Sequence, residues 1–154
     1  MRAFLCVLAA VFAAGPWIEL SAATADETSA LATVTRYIDG NNKNDADAAN
    51  AECAPQATIL DSFPPYVWQG SGTCATWWKD VVAFDDKNGI TDAIVTADKP
   101  WRVDVSGDRA YVVVPVKYTY KQNGKSVSED AVWTFAQQKV AAGWRITGWA
   151  WSQH

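Results

Sequence analysis

The last third of the sequence alternates apolar and polar residues over several long stretches. Two turn sequences, Ser106-Gly107-Asp108 and Asn123-Gly124, interrupt the alternation. Asn-Gly favours a type I′ hairpin, because both of its residues tolerate the positive φ that this turn requires. The pattern therefore predicts an antiparallel meander that the earlier part of the chain must cover. Its strands are predicted at residues 103–105, 110–121, 127–139 and 144–151.

The residues before the meander combine helical periodicity with short extended segments. The first predicted helix is capped by Thr28 or Ser29, and the second by Asn44-Asp45. This order of elements predicts one α+β domain, with three helices packed on one face of a bent antiparallel sheet. The predicted helices are residues 28–42, 46–53 and 73–88, the last stopped by Gly89, and the short strands are residues 57–61, 66–69 and 90–97.

Apolar residues occur on both faces of the predicted sheet. In the strand at residues 110–121, the even positions from Val112 to Tyr120 are apolar and lie on one face. Val113 and Pro115, which lie on the other face, are apolar as well. A sheet that is apolar on both faces needs cover on both. Helices can cover one face, and a second copy of the chain is the simplest cover for the other, which predicts a homodimer. The last strand is expected to contribute Trp144 and Ile146 to one face, and Trp149 and Trp151 to the other.

The first 25 residues have the pattern of a signal peptide. Arg2 precedes an apolar run at residues 3–14, and the segment ends in Ala23-Thr24-Ala25, an A-x-A cleavage site before Asp26. The alternative is an N-terminal core helix, which Gly15-Pro16 would break. We therefore expect export to the periplasm or the medium, with no membrane association after cleavage, and a single folded domain at residues 26–154.

Charge and composition narrow the function classes. The formal charge of −4 and the absence of a basic cluster make nucleic acid and anionic membranes poor partners. His154 is the only histidine, which excludes a histidine triad or a multi-histidine metal site. No Gly-rich phosphate loop is present, so neither a metal nor a cofactor is expected. Eight of the nine tryptophans follow residue 25, which predicts a thick aromatic core or a cavity lined with rings.

Cys53 and Cys74 are the only cysteines after the predicted cleavage site. An even pair in an oxidising compartment predicts a disulfide. The two cysteines bracket the Phe63-Pro64-Pro65 turn almost symmetrically, so a hairpin would bring them to the same end. The alternative is a pair of buried, reduced thiols.

Five segments are distinctive when taken together with the order of elements. They are Arg36-Tyr37-Ile38, Asn44-Asp45, the run from Ala57 to Asp61, Gly107-Asp108-Arg109-Ala110-Tyr111 and Gly143-Trp144-Arg145-Ile146. They resemble the nuclear transport factor 2-like (NTF2-like) superfamily, and its SnoaL-like and ketosteroid isomerase-like branches most closely. The resemblance covers nearly the whole of residues 26–154 and implies a cone-shaped, strongly bent sheet around a pocket. The superfamily contains isomerases, dehydratases, cyclases and ligand carriers, so the resemblance specifies fold better than activity.

The resemblance also implies roles for two polar residues. In the isomerase branch a helix tyrosine stabilises the oxyanion and an aspartate after the first strand moves the proton, and Tyr37 and Asp61 occupy the matching positions. The branch has a second acid, but Ala131 stands at that position, and Asp130 beside it points to the opposite face. Asp61 could instead be a turn residue that accepts hydrogen bonds from backbone amides, and Tyr37 a helix-edge core residue with its hydroxyl in water.

Three function hypotheses follow. The first is an exported pocket protein that binds a small apolar or aromatic molecule. The second is an isomerase or dehydratase that uses Asp61 as base and Tyr37 as oxyanion donor, and the third is a dimeric interaction module without a ligand.

Glu129 and Asp130 are expected to form a solvated strand edge. The residues expected to frame the pocket, each of which could also be simple core, are Trp68, Trp77, Tyr118, Trp133 and Trp149.

Overall fold

A computed structural model describes residues 23–153 of the chain. The predicted signal peptide lies outside the described residues except for its last three positions. None of the described helices is long and apolar enough to cross a membrane. The elements are α1 (Ala25–Asn42), α2 (Ala46–Ala51), β1 (Cys53–Leu60), β2 (Val67–Ser71), α3 (Thr73–Asn88), β3 (Ile90–Ala97), β4 (Arg102–Ser106), β5 (Arg109–Gln122), β6 (Lys125–Val140) and β7 (Gly143–Gln153).

Helix α1 begins earlier than the apolar periodicity predicts. Thr24 is the N-cap, and it forms a capping box in which its side chain accepts from the Glu27 backbone N–H and the Glu27 carboxylate accepts from Thr24 N. The predicted caps, Thr28 and Ser29, are therefore wrong, because both lie within the helix and bond to carbonyls one turn earlier. The T-x-x-E spacing that defines a capping box was the relevant signal. Cleavage before Asp26 would remove this cap.

The seven strands form one curled, unclosed sheet in the order β2-β1-β7-β6-β5-β3, with β4 also paired to β5. The predicted α+β cone with three helices is confirmed. The Asn123-Gly124 turn joins β5 and β6 with φ values of 50° and 80°, as a type I′ turn requires. All pairs are antiparallel except β1 with β7, which is parallel. The first and last strands along the chain are therefore neighbours in the sheet.

A bulge in β7 changes the predicted faces of that strand. The register with β6 shifts so that Gln137 opposes Ile146 whereas Ala136 opposes Gly148, which leaves Thr147 as an extra residue. An extra residue reverses the alternation of side chains beyond it. The expected placement on opposite faces is therefore wrong: one inward face carries all four large residues of β7, namely Trp144, Ile146, Trp149 and Trp151.

The core lies between the inner face of the sheet and the helices. Val34 and Tyr37 of α1 pack there against Val112 and Phe135 of the central strands, and all four are at most 1% exposed. A disulfide between Cys53 and Cys74, with Cα atoms 6.6 Å apart, ties β1 to α3. The predicted disulfide is thus present, and it fixes α3 against the sheet.

The outer face of the sheet retains apolar side chains on its central strands. Val113 and Pro115 of β5 lie there half-buried, with Val132 of β6 directly opposite Pro115. Leu60 and Val67, which are paired across β1 and β2, are 49% and 47% exposed on the same face. Strand β5 therefore has the two apolar faces that its sequence indicates, although β7 does not.

Candidate ligand-binding site

A cavity of about 810 Å³ lies between α3, β3 and the inner face of β5, β6 and β7. The end of α1 and the turn after β1 complete its wall through Asn41 and Asp61. The side chain of Asn42 holds the neighbouring edge strand in place: its Nδ2 donates to Val95 O and its Oδ1 accepts from Val95 N, both at 2.8 Å. The cavity is therefore walled by elements that hydrogen bonds fix to one another.

Tryptophan rings form the deep wall of the cavity. The rings of Trp77 and Trp149 are perpendicular, with centroids 4.9 Å apart. Trp133 packs edge to face against Trp149 at 5.3 Å and against Trp151 at 5.1 Å. Edge-to-face packing is the favoured geometry of aromatic pairs, so each ring holds its neighbour in one orientation. This part of the wall is consequently apolar and pre-formed.

Asp61 lies at the edge of this aromatic wall, one residue beyond β1. Its backbone N–H donates to Tyr66 O at 3.1 Å and continues the β1–β2 hairpin. Its carboxylate accepts two short hydrogen bonds, from Ser62 N to Oδ1 at 2.6 Å and from Trp77 Nε1 to Oδ2 at 2.8 Å. Burial raises the pKa of Asp61, and these hydrogen bonds offset part of the increase. Asp61 thus has both the turn contacts and the cavity position that were considered for it.

Tyr37 lies behind the cavity wall. Its side chain is 1% exposed and packs against Trp133 at a centroid distance of 5.7 Å. Its hydroxyl accepts a hydrogen bond of 3.0 Å from Trp149 Nε1, so a hydroxyl in water is the wrong interpretation. Burial raises the pKa of Tyr37 well above its usual value. The residues that line the cavity do not include Tyr37, which contacts lining residues, among them Trp133 and Trp149, from behind the wall.

Acidic groups also line the cavity, on α3, β3 and β6. Burial, with Asp86 and Asp61 nearby, raises the pKa of Asp85 to about 6. The Tyr120 hydroxyl donates to Glu129 Oε1 at 2.8 Å, and Gln153 Nε2 donates to Glu129 Oε2. Glu129 is therefore half-buried at the cavity rather than on a solvated edge, whereas Asp130 is exposed and pairs with Lys117.

The structure brings most of the predicted pocket residues together. Trp77, Tyr118, Trp133 and Trp149 line the cavity with Asp61. Trp68 does not, because it packs against Phe63 at 4.9 Å and donates from Nε1 to Asp80 Oδ2 at 2.8 Å. Ala131, at the position of the isomerase branch's second acid, is 1% exposed and provides no polar group.

Sequence reasoning missed Asp85, Trp78 and Trp151, all of which line the cavity. Asp85 follows Trp77 by eight residues, or two i+4 steps through Val81, so it lies on the apolar stripe of α3. A carboxylate on such a stripe is a signal that could have identified it. Trp151 would have been found from its spacing of two residues from Trp149.

The chemistry of the wall is aromatic and acidic. Among the described residues that line the cavity there is no lysine, arginine or histidine. Residues 23–153 contain no group of three or more histidine, cysteine or acidic side chains placed to hold a metal ion. The Nε1 of Trp133 is buried without a hydrogen-bond partner in this part of the chain.

Comparison with known proteins identifies the fold. No protein-family model matches the chain, and no curated protein sequence matches it significantly. A ketosteroid isomerase-like protein from Erwinia carotovora atroseptica is 18% identical over 84% of this chain and 96% of its own, with a TM-score of 0.68. A hexachlorocyclohexane dehydrochlorinase from Novosphingobium barchaimii is 15% identical over 84% of this chain and 89% of its own, with a TM-score of 0.69. The CaMKII hub of S. rosetta is 18% identical over 87% of this chain and 100% of its own, also with a TM-score of 0.69.

The chain therefore has the NTF2-like fold that the sequence resemblance indicated. At these identities the similarity concerns the fold, and activity has to be argued from the cavity itself.

Proposed function

We propose that this protein binds a small apolar or aromatic molecule in the cavity between α3 and the sheet. The observation that carries the proposal is the cavity itself, about 810 Å³ in volume and walled by five tryptophans. Ligand pockets of soluble proteins have volumes of about 300–1,000 Å³ and are lined mainly by apolar and aromatic side chains. A filled cone would have favoured an interaction module without a ligand.

The protein is proposed to act outside the cytoplasm, in the periplasm or the medium. The Cys53–Cys74 disulfide supports this location, because structural disulfides persist in oxidising compartments. The pattern of residues 1–25 supports it independently.

Native mass spectrometry of the protein purified from its own host tests the proposal. We expect a retained organic ligand that is released when the protein is denatured. A matched preparation of Trp149→Ala, which opens the aromatic wall, should retain much less of it. Absence of a ligand, together with failure to bind any aromatic compound in solution, would contradict the proposal.

A second candidate function is proton transfer with Asp61 as base. It is supported by the position of the Asp61 carboxylate at the cavity and by the burial that raises its pKa. The similarity in fold to a ketosteroid isomerase-like protein and a dehydrochlorinase gives it a precedent. The position of Tyr37 behind Trp149 favours the binding function, because an oxyanion donor must contact the substrate.

The two candidates are separated by Asp61→Asn. If Asp61 is a catalytic base, the variant should lose turnover and still bind the ligand. If Asp61 is structural, the variant should be less stable and bind slightly more weakly, with no turnover to lose in the wild type. Melting temperature and affinity therefore accompany the activity measurement.

We also propose that two copies associate through the outer sheet face. The half-buried Val113 and Val132 and the exposed Leu60 and Val67 support an apolar interface on that face. The CaMKII hub, by its name a hub domain, shares the fold.

A further inference from the structure

The ionisable side chains of the cavity wall are all acidic or phenolic. The wall contains five carboxylates and, among the described lining residues, no positively charged side chain. Three of the five carboxylates have partners: Asp61 accepts from Trp77, Glu129 from Tyr120, and Asp92 pairs with Lys121. Within residues 23–153, the carboxylate of Asp85 has no hydrogen bond or ion pair. Asp85 is therefore a half-buried acid whose counter-charge the described chain does not supply.

The groups that face Asp85 are all acidic or phenolic. They are Asp86 on α3 itself, Asp61 after β1, and Tyr118 and Tyr120 on β5, and Glu129 on β6 interacts with the same two tyrosines. Each carboxylate reinforces the negative potential, and low-dielectric walls concentrate the field within a cleft. An anionic ligand would be repelled from this space, whereas a cation would relieve the repulsion.

The aromatic wall has the same preference. Tryptophan presents the negative face of its π system, and it is the best of the aromatic side chains at attracting a cation. Five tryptophans line this one cavity, and Trp77 and Trp149 form a perpendicular corner in it. A corner of rings beside carboxylates is the environment in which ammonium groups are bound.

Trp133 is a second feature of this wall, independent of the carboxylates. The residue is 3% exposed and lines the cavity, yet its Nε1 has no hydrogen-bond partner among the described residues. Buried polar atoms are nearly always satisfied by protein, water or ligand. Because this nitrogen is itself buried, a ligand acceptor would satisfy it only after the adjoining rings move.

We propose that the ligand of this cavity is an organic cation, with an apolar or aromatic body against the tryptophans and an ammonium group beside Asp85 and Asp61. The inference rests on the proposed binding function and adds the chemical class of the ligand. A metal ion is a poorer match, since no cluster of metal-binding side chains occurs in residues 23–153. An apolar body also uses the ring surface that an inorganic ion would leave in contact with water.

Three probes of similar shape test the charge preference. Phenyltrimethylammonium is positive, tert-butylbenzene is its neutral isostere and benzenesulfonate is negative. Calorimetric titration of the secreted protein at pH 7.5 should show the cation binding about tenfold or more tightly than the neutral isostere, with no binding of the sulfonate. Calcium chloride, titrated separately, should neither bind nor compete.

Two variants locate the effect. Asp85→Asn should weaken binding of phenyltrimethylammonium by about tenfold and leave the affinity for tert-butylbenzene unchanged, because only the charge is removed. Asp98→Asn removes one exposed carboxylate outside the cavity wall and should change neither affinity. Circular dichroism of both variants establishes that they are folded.

The outcomes separate this inference from the function on which it rests. Equal affinity for the cation and its neutral isostere, or an unchanged preference in folded Asp85→Asn, would overturn the cation inference and leave a binding cavity. Failure of all three probes to bind would overturn the proposed function itself.

Discussion

The indole Nε1 of Trp77 donates a hydrogen bond of 2.8 Å to Oδ2 of Asp61. This bond links α3 to the turn after β1 at the edge of the cavity. The ring of Trp77 is perpendicular to that of Trp149, whose own Nε1 donates to the Tyr37 hydroxyl. Two packed indoles therefore hold the two polar groups that the family resemblance singled out. The arrangement gives each group an indole N–H donor.

The first prediction concerns this donor. Trp77→Phe keeps most of the ring and removes the N–H, so the partly buried Asp61 carboxylate loses one of its hydrogen bonds. We expect the pKa of Asp61 to rise further and the free energy of unfolding to fall by about 1–3 kcal/mol. Carbon-13 NMR of the carboxyl group and urea unfolding measure the two effects. Trp78→Phe is the control, since Trp78 donates no such bond within residues 23–153, and an unchanged Asp61 pKa in Trp77→Phe would refute the link.

The second prediction concerns the pH dependence of stability. The pKa of Asp85, about 6 in the folded protein, is raised above its usual value in an unfolded chain. The folded state therefore binds the proton more tightly, and stability falls as the pH rises from about 4 through 6. Asp85→Asn should raise the melting temperature at pH 7.5 by roughly 3 °C, for a gain of about 1 kcal/mol after allowance for solvent screening. The gain should disappear at pH 4, and a gain independent of pH would contradict the assignment.

The third prediction concerns the disulfide. Loss of the Cys53–Cys74 bridge, in the double variant with both cysteines changed to serine, should lower the free energy of unfolding by about 3 kcal/mol. The intact mass of the protein without residues 1–25, which contain Cys6, should show no free thiol. Two titratable thiols in that protein would contradict the bridge.

The fourth prediction concerns association. Val132→Asp places a charge at the centre of the outer sheet face and should convert a dimer into a monomer in light scattering at micromolar concentration. Ser126→Asp, near the β5–β6 turn, is the control and should remain dimeric. A monomeric wild-type protein would show that the outer face has no such role.

The sequence predicted the fold well where the local signals were unambiguous. Asn123-Gly124 and Gly89 end their elements as expected, because positive φ is required there and few residues tolerate it. The faces of β7 were predicted wrongly because strict alternation was assumed across residues 144–151, where the register with β6 shifts at Thr147. Gly148 was the local signal, since an isolated glycine within a strand pattern suggests a bulge.

The site was less predictable than the fold. The position of Asp61 follows from its place after β1, but the sealing of Tyr37 depends on Trp149 and Trp133, which lie more than ninety residues away. The sequence does not distinguish Trp68 from Trp77 as pocket residues. In the structure Trp68 donates to Asp80 on α3, whereas Trp77 donates to Asp61 after β1. Long-range packing decides which ring lines a cavity and which fills a core.

The most direct test of the binding cavity uses the indole N–H resonances of the eight tryptophans in residues 23–153. Titration with phenyltrimethylammonium, followed by proton–nitrogen correlation spectra, should shift the signals of the tryptophans in the cavity wall, namely Trp77, Trp78, Trp133, Trp149 and Trp151. The signals of Trp68, Trp101 and Trp144, which lie outside that wall, should stay in place. The cavity is not a binding site if neither phenyltrimethylammonium nor tert-butylbenzene shifts the five cavity signals, or if the shifts are confined to the other three tryptophans.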